Sequence, residues 1–273
     1  MQDAVVAEIR SRLEQLARRE RVTIAFAIES GSRAWGFPSP DSDYDCRFVF
    51  VRPLAETYTL FPARDVLEEP LTEVFDINGW ELSKAIRLLL KGNAVILEWL
   101  NSPHAYGEVP GFRDAMLALA GQVGDRNLIG RHYYYLCREH VGRCFRDPET
   151  TALKKLFYLL RPLFAVQWLD AHPDAVYPPM NFHALRAGID IPAAVTDEID
   201  TLLARKAETR ELGEGRIPPV LASYALQAYD RAGHWRRAVA VDQERQVLAD
   251  RFWREWTERL APSGLAVRPA RAD

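Results

Sequence analysis

The strand patterns read from this chain lie before residue 110, and helical spacing dominates after it. That change of pattern limits the fold more than any other feature. Residues 3–19 carry Val5, Ile9, Leu13 and Leu16 at helical intervals. VTIAFAIES (22–30) follows as an apolar run of strand length, ending at Gly31. SRAWGFPSPDSD is rich in Gly and Pro and reads as a turn or loop with room for one helical turn. YDCRFVFV (44–51) alternates and is rich in aromatic and β-branched residues, a strand pattern closed by Pro53. Residues 56–72 give no clear period. EVFDI (73–77) is a third strand candidate, and GWELSKAIRLLLKGN (79–93) reads as a helix with Leu82, Ile86, Leu89 and Leu90 on one face.

Beyond Pro110, residues 112–122, 126–145, 151–171, 193–207 and 217–231 read as helices. Pro148, Pro173, Pro178, Pro179 and Pro192 punctuate them. A last charged helix is expected at 235–260, followed by a loose tail. The expected fold class is therefore α+β. A small α/β domain (1–110) precedes a mainly α-helical domain (111–273).

Composition narrows the function classes. Hydrophobic residues make up 48% of the 273, enough for a sizeable core. The net charge of −3 shows no global basic bias, although a local basic patch would still bind phosphates. Three cysteines do not form a secreted disulfide framework, so a reducing compartment fits. The N-terminal segment has no apolar signal core, and no run approaches 18 apolar residues. The expectation is a cytoplasmic protein without a membrane partner. No P-loop, GxSxG, HExxH, CxxC or GxGxxG motif is present.

The segment Ser30–Arg47, SGSRAWGFPSPDSDYDCR, carries the chemistry. Alternate residues of a strand share a face, so Asp43, Asp45 and Arg47 point one way. Tyr44, Cys46, Phe48 and Phe50 point the other way, into the core. Two carboxylates on one face repel unless a cation lies between them. Mg²⁺, or Mn²⁺, is a hard cation that prefers such oxygen ligands, and paired ions clamp the oxygens of a phosphoryl transfer. Gly31 directly after a strand lets backbone approach a phosphate, and Ser32 adds a hydroxyl donor. Asp41-Ser42-Asp43 after Pro40 also reads as a plain Asx turn.

Gly31-Ser32, ten residues, then Asp43-Tyr44-Asp45 resembles the DNA polymerase β-like nucleotidyltransferase superfamily. The longer string is similar to its RNA-repair-pathway branch, also called YcgL-type. That string includes Arg33-Ala34-Trp35-Gly36-Phe37, Ser39-Pro40-Asp41-Ser42, Arg47, Gly79-Trp80 and Lys84-Ala85. It continues with Glu98-Trp99-Leu100, Ser102-Pro103, Lys154-Lys155 and Leu160-Arg161-Pro162-Leu163, so it spans most of residues 29–168. The resemblance implies a metal-dependent transfer of NMP from an NTP to a hydroxyl acceptor, with an RNA end as the expected acceptor. It also implies a third carboxylate on a later strand. Asp76, leaving the strand before a helix at Gly79, is the best candidate, with Glu73 and Glu81 behind it.

Phosphate contacts are expected from Gly31, Ser32 and Arg33, where Arg33 either meets the triphosphate or covers the sheet edge. Arg47 either pairs with Asp45 or meets substrate. Trp35 either packs or stacks on a base. Lys154, Tyr158 and Arg161 share a helical face and reach for the nucleotide or form a solvated basic face. Cys137, His140 and Cys144 share another face, and a single segment is a poor zinc site, so a buried face is expected there. Two other readings have the same core: a non-catalytic nucleotide- or RNA-binding partner of an RNA ligase, and a transferase that modifies a partner protein.

Overall fold

The computed structural model of the chain describes residues 2–147, 150–208, 212–237 and 242–262. Pro148 and the expected tail at 263–273 lie outside the described residues. The first part runs α1 (Asp3–Glu20), β1 (Thr23–Glu29), α2 (Gly31–Trp35), β2 (Tyr44–Val51), α3 (Leu54–Thr57), β3 (Val66–Glu68) and β4 (Phe75–Glu81). Then come α4 (Leu82–Leu90), α5 (Ala94–Leu100) and β5 (Ala105–Glu108). The five strands form one mixed sheet in the order β3-β4-β2-β1-β5, with β2 and β4 parallel and the other pairs antiparallel.

The remainder is mainly helical: α6 (Phe112–Val123), α7 (Arg126–Cys144), α8 (Lys154–Ala171), α9 (Phe182–Ala187), α10 (Ala193–Glu208), α11 (Pro219–Arg231) and α12 (Gln243–Leu260). A short ribbon pairs β6 (Thr151–Ala152) with β7 (Glu214–Gly215), and a 3-10 turn covers Ala232–Arg236. The α+β architecture holds. Side-chain caps fix several helix starts: Asn93 for α5, Asp125 for α7, Asn181 for α9 and Asp242 for α12.

Three segments differ from the pattern reading. Gly79–Glu81 continue β4 instead of opening a helix, because Phe48 pairs with Gly79 across the parallel ladder. A side chain at Gly79 would overlap the Phe48 ring, so glycine lets the ladder run on. Residues 94–108, for which the pattern names no element, form α5 and β5. The last long helix starts at Gln243, not 235, after the 3-10 turn.

Strand alternation sorts the sheet into two faces. Tyr44, Cys46, Phe48 and Phe50 pack with Ile9, Leu13 and Leu16 of α1 in one cluster, as their spacing predicts. Phe26, Ile28, Val49 and Val51 join a larger cluster on the opposite face. That cluster runs without a break from β1 through α4–α6 to α8, α11 and α12, across residue 110. Phe37 is the link that matters for the site. The loop between β1 and β2 inserts it, 5% exposed, against Phe157 and Phe182, with ring centroids at 5.2 and 5.3 Å. The loop is thereby pinned to the helical layer at one end and to two strands at the other.

Candidate active site

The C-terminal end of β1 and the N-terminal ends of β2 and β4 meet at one end of the sheet. Gly31 leaves β1 in a left-handed conformation (φ +59°). A Cβ there would overlap the Asp45 carboxylate, so only glycine admits that acid beside the turn. Ser30 N–H donates to the Asp45 carbonyl at 2.8 Å, which ties the turn to β2.

Asp45 and Asp76 stand level across the parallel ladder. Asp76 therefore lies near the start of β4, not at a strand end before a helix, which corrects the expected position. Arg47 occupies the ground between them. Its Nη2 donates to Asp45 Oδ1 at 2.9 Å and to Asp76 Oδ2 at 2.7 Å, and its Nη1 donates to the Asp76 carbonyl at 2.8 Å. Burial pushes the Asp45 carboxyl up to about 6; Arg47 pulls it down, and Asp43 and Asp76 add to the rise.

Asp45 on β2 and Asp43 just before that strand supply hard oxygens, and their mutual repulsion is the kind that a divalent cation relieves. The pair fits one hard ion. Asp76 is held by Arg47, and among the described residues no group of three or more acidic, histidine or cysteine side chains gathers into a metal cage.

Glu29, fully buried behind β2, was not singled out from the sequence. Its Oε1 accepts the Asp45 backbone N–H at 3.2 Å, and its Oε2 accepts the Tyr106 hydroxyl. Desolvation raises its carboxyl to about 7 against the pull of both hydrogen bonds. A carboxylate ending an apolar strand was the available signal, because such a group needs buried partners.

The helical part closes the site. Ser32, Ser39, Asp41, Ser42, Asp43, Lys154, Tyr158 and Lys206 line one cavity of about 120 Å³. Burial raises the Tyr158 phenol, and Asp45 and Asp43 raise it further, so its ring borders the acidic face. Tyr158 is 40% exposed, edge-on to Trp35 at 5.8 Å and stacked with His140 at 6.2 Å. Arg33 donates to the backbone carbonyls of Asp43 (3.1 Å) and Ser42 (2.5 Å) and lies over the Tyr44 ring at 4.0 Å. It braces the loop that carries the acids.

Arg161 does not join the cavity. It is buried, paired with buried Glu98 at 2.7 Å, and stacked on Trp35 at 4.1 Å. Glu98 also accepts the Tyr133 hydroxyl at 2.9 Å. Pro162, buried in the same turn of α8, shows that this face of the helix is core rather than solvated surface. Of the face shared by Cys137, His140 and Cys144, the two cysteines are fully buried, as expected, while His140 is half-buried.

A profile of the RNA repair pathway DNA polymerase beta family matches residues 5–252. The Bacillus subtilis (strain 168) protein described as "uncharacterized protein YcgL" is 39% identical over 209 residues, 75% of this chain and 79% of that one. A crystal structure of a nucleotidyltransferase-like protein from Exiguobacterium sibiricum 255-15 covers 90% of this chain and 80% of its own, at 11% identity and a TM-score of 0.30. No helix among the described residues is long and apolar enough to cross a membrane.

Proposed function

The chain belongs to the RNA repair pathway DNA polymerase beta family, and on that premise we propose that it transfers an NMP from an NTP to a hydroxyl acceptor, an RNA end. The observation that carries this is the meeting of Asp43 with Ser32, Lys154 and Tyr158 around one cavity. An acid just before a strand, a post-strand hydroxyl and a helical cation there match the parts a nucleotide's α-phosphate and tail require.

Gly31 and Ser32 receive the triphosphate close to the backbone. Lys154 and the braced loop add positive charge on the cavity wall. Asp43 and Asp45 would hold Mg²⁺ or Mn²⁺, which would supply charge neutralisation on the phosphates. Tyr158 offers the base an aromatic face. Asp76, one-third exposed at its side chain, accepts the proton of the attacking hydroxyl. Arg47 keeps Asp45 and Asp76 apart and aligned. The acceptor oxygen attacks the α-phosphorus, the α–β bridging bond breaks, and pyrophosphate leaves. Positioning and charge carry the rate, since little covalent chemistry is left to the protein.

One observation favours a second reading. Arg47 already neutralises Asp45 and Asp76, which suits a fold kept for nucleotide binding beside a ligase. A transfer assay decides between them. Each α-labelled NTP is incubated with Mg²⁺ or Mn²⁺ and a panel of RNA ends, proteins and lysate, with Asp43→Ala alongside. Label on RNA that disappears in the variant supports transfer. Label on protein makes the acceptor a protein, and NTP binding without label in any arm favours the binding partner.

A further inference from the structure

A two-ion phosphoryl-transfer site needs a second cation between its strand acids. Between Asp45 and Asp76 a cation already stands, and it belongs to the chain. The Arg47 guanidinium donates to Asp45 Oδ1 at 2.9 Å and Asp76 Oδ2 at 2.7 Å, and to the carbonyls of Asp76 (2.8 Å) and Cys46 (3.1 Å). The two carbonyls lie on paired strands, so the backbone itself fixes the guanidinium in the ladder. Its side chain is only 14% exposed, and an arginine does not lose its proton, so this charge is permanent.

The carboxylate oxygens are divided accordingly. Asp76 Oδ1 accepts the Asn78 amide at 3.3 Å, so both oxygens of Asp76 meet protein donors. Asp45 gives Oδ1 to Arg47, while its Oδ2 faces the Gly31 turn, where a Cβ would overlap it. A divalent ion between Asp45 and Asp76 would have to displace a guanidinium held by two carbonyls and two carboxylates, against the repulsion of like charge. The donor set at that place does not fit a second ion.

We propose that Arg47 takes the place of the second metal ion, so that the chain binds one divalent cation, at Asp43 and Asp45, and Asp76 is not a metal ligand. The inference rests on the nucleotidyltransferase reading and departs from the three-carboxylate metal set that the resemblance implies. It also sharpens the task of Asp76. A guanidinium neither coordinates an attacking oxygen nor makes its hydroxyl acidic as a metal ion does, so Asp76 is left to take the proton. Arg47 is then a positioning residue, acting through Asp45 and Asp76.

The test counts Mn²⁺ by electron paramagnetic resonance on the full chain with a non-hydrolysable NTP analogue. Wild type is expected to hold one Mn²⁺ per chain, without the spin coupling of two ions about 3.5–4 Å apart. Arg47→Met, which leaves Asp45 and Asp76 without their cation, is expected to take up a second ion and show that coupling. Asp76→Asn is expected to change Mn²⁺ affinity by less than about 3-fold, and Asp45→Asn to weaken it by at least about 10-fold. That pair serves if Arg47→Met does not fold. Two coupled ions in wild type, a single ion in a folded Arg47→Met, or equal losses of affinity in Asp76→Asn and Asp45→Asn each overturn the role of Arg47 and leave the transferase reading standing. A single Mn²⁺ on a chain that binds no analogue overturns the transferase reading alone. A wild-type chain that binds no Mn²⁺ overturns both.

Discussion

Gly31 and Asp45 share a single space: the carboxylate of one lies where a side chain on the other would have to go. The turn after β1 and the acid of β2 are therefore one device. Gly31→Ala adds both the overlap and a strained positive φ. We expect about a 100-fold loss of transfer, the scale set by small misplacements of a reacting group. Stability falls by about 1–2 kcal/mol. Steady-state kinetics with a thermal melt checks this, and near-wild-type transfer in a folded Gly31→Ala refutes the coupling.

Asp43→Ala and Asp45→Asn remove charge from the face that holds the cation. Each is expected to lower transfer by about 100-fold or more while the far-ultraviolet circular dichroism stays unchanged. Asp45→Asn also frees one bond of Arg47, which keeps its contacts with Asp76. Full activity in either variant sinks the metal assignment.

The Glu98–Arg161 pair is buried from both sides and supports Trp35 next to Tyr158. Arg161→Ala leaves Glu98 charged and uncompensated, so unfolding in urea should reveal a loss of about 3–5 kcal/mol. The double variant Glu98→Leu, Arg161→Leu should recover much of it. A loss below about 1 kcal/mol in the single variant rules out the pair as a structural clamp.

Glu29 makes stability depend on pH. Its folded carboxyl titrates at about 7 against an ordinary 4.5, so the folded state binds the proton more tightly. Stability from this group is fully present below 4.5 and is lost as the pH rises towards 7. Asp45, raised to about 6, acts in the same direction. Without divalent cations, urea midpoints should therefore fall between pH 4.5 and 7. Glu29→Gln should flatten that slope, and an unchanged slope in the variant contradicts the assignment.

Tyr158 touches Trp35 and His140 only at ring distance and remains partly open to solvent. Tyr158→Ala is expected to raise KM for the NTP by about 5- to 100-fold, the range of a lost base stack, with little change in melting temperature. An unchanged KM removes Tyr158 from the nucleotide site.

Local pattern was enough for the strands at 23–29 and 44–51, for the inward set Tyr44, Cys46, Phe48 and Phe50, and for the shared face of Asp45 and Arg47. A two-residue period fixes which way a strand side chain points, whatever surrounds it. The long helices of the second half were legible for the same reason. What no local pattern holds is the identity of a partner far along the chain. Arg47 lies between Asp45 and Asp76 only because β2 and β4 pair in parallel. Gly79–Trp80 became strand because Phe48 lies against Gly79, overriding the helical period that follows. Arg161 has the spacing of a surface cation, yet Glu98 draws it into the core. Lys206 reaches the loop across 169 residues, a contact that exists only once α10 packs beside Phe37. The sequence determined which side chains share a face, and tertiary packing decided which faces meet. Burial then set the charge state of the groups between them, since desolvation acts only after the chain has closed around them.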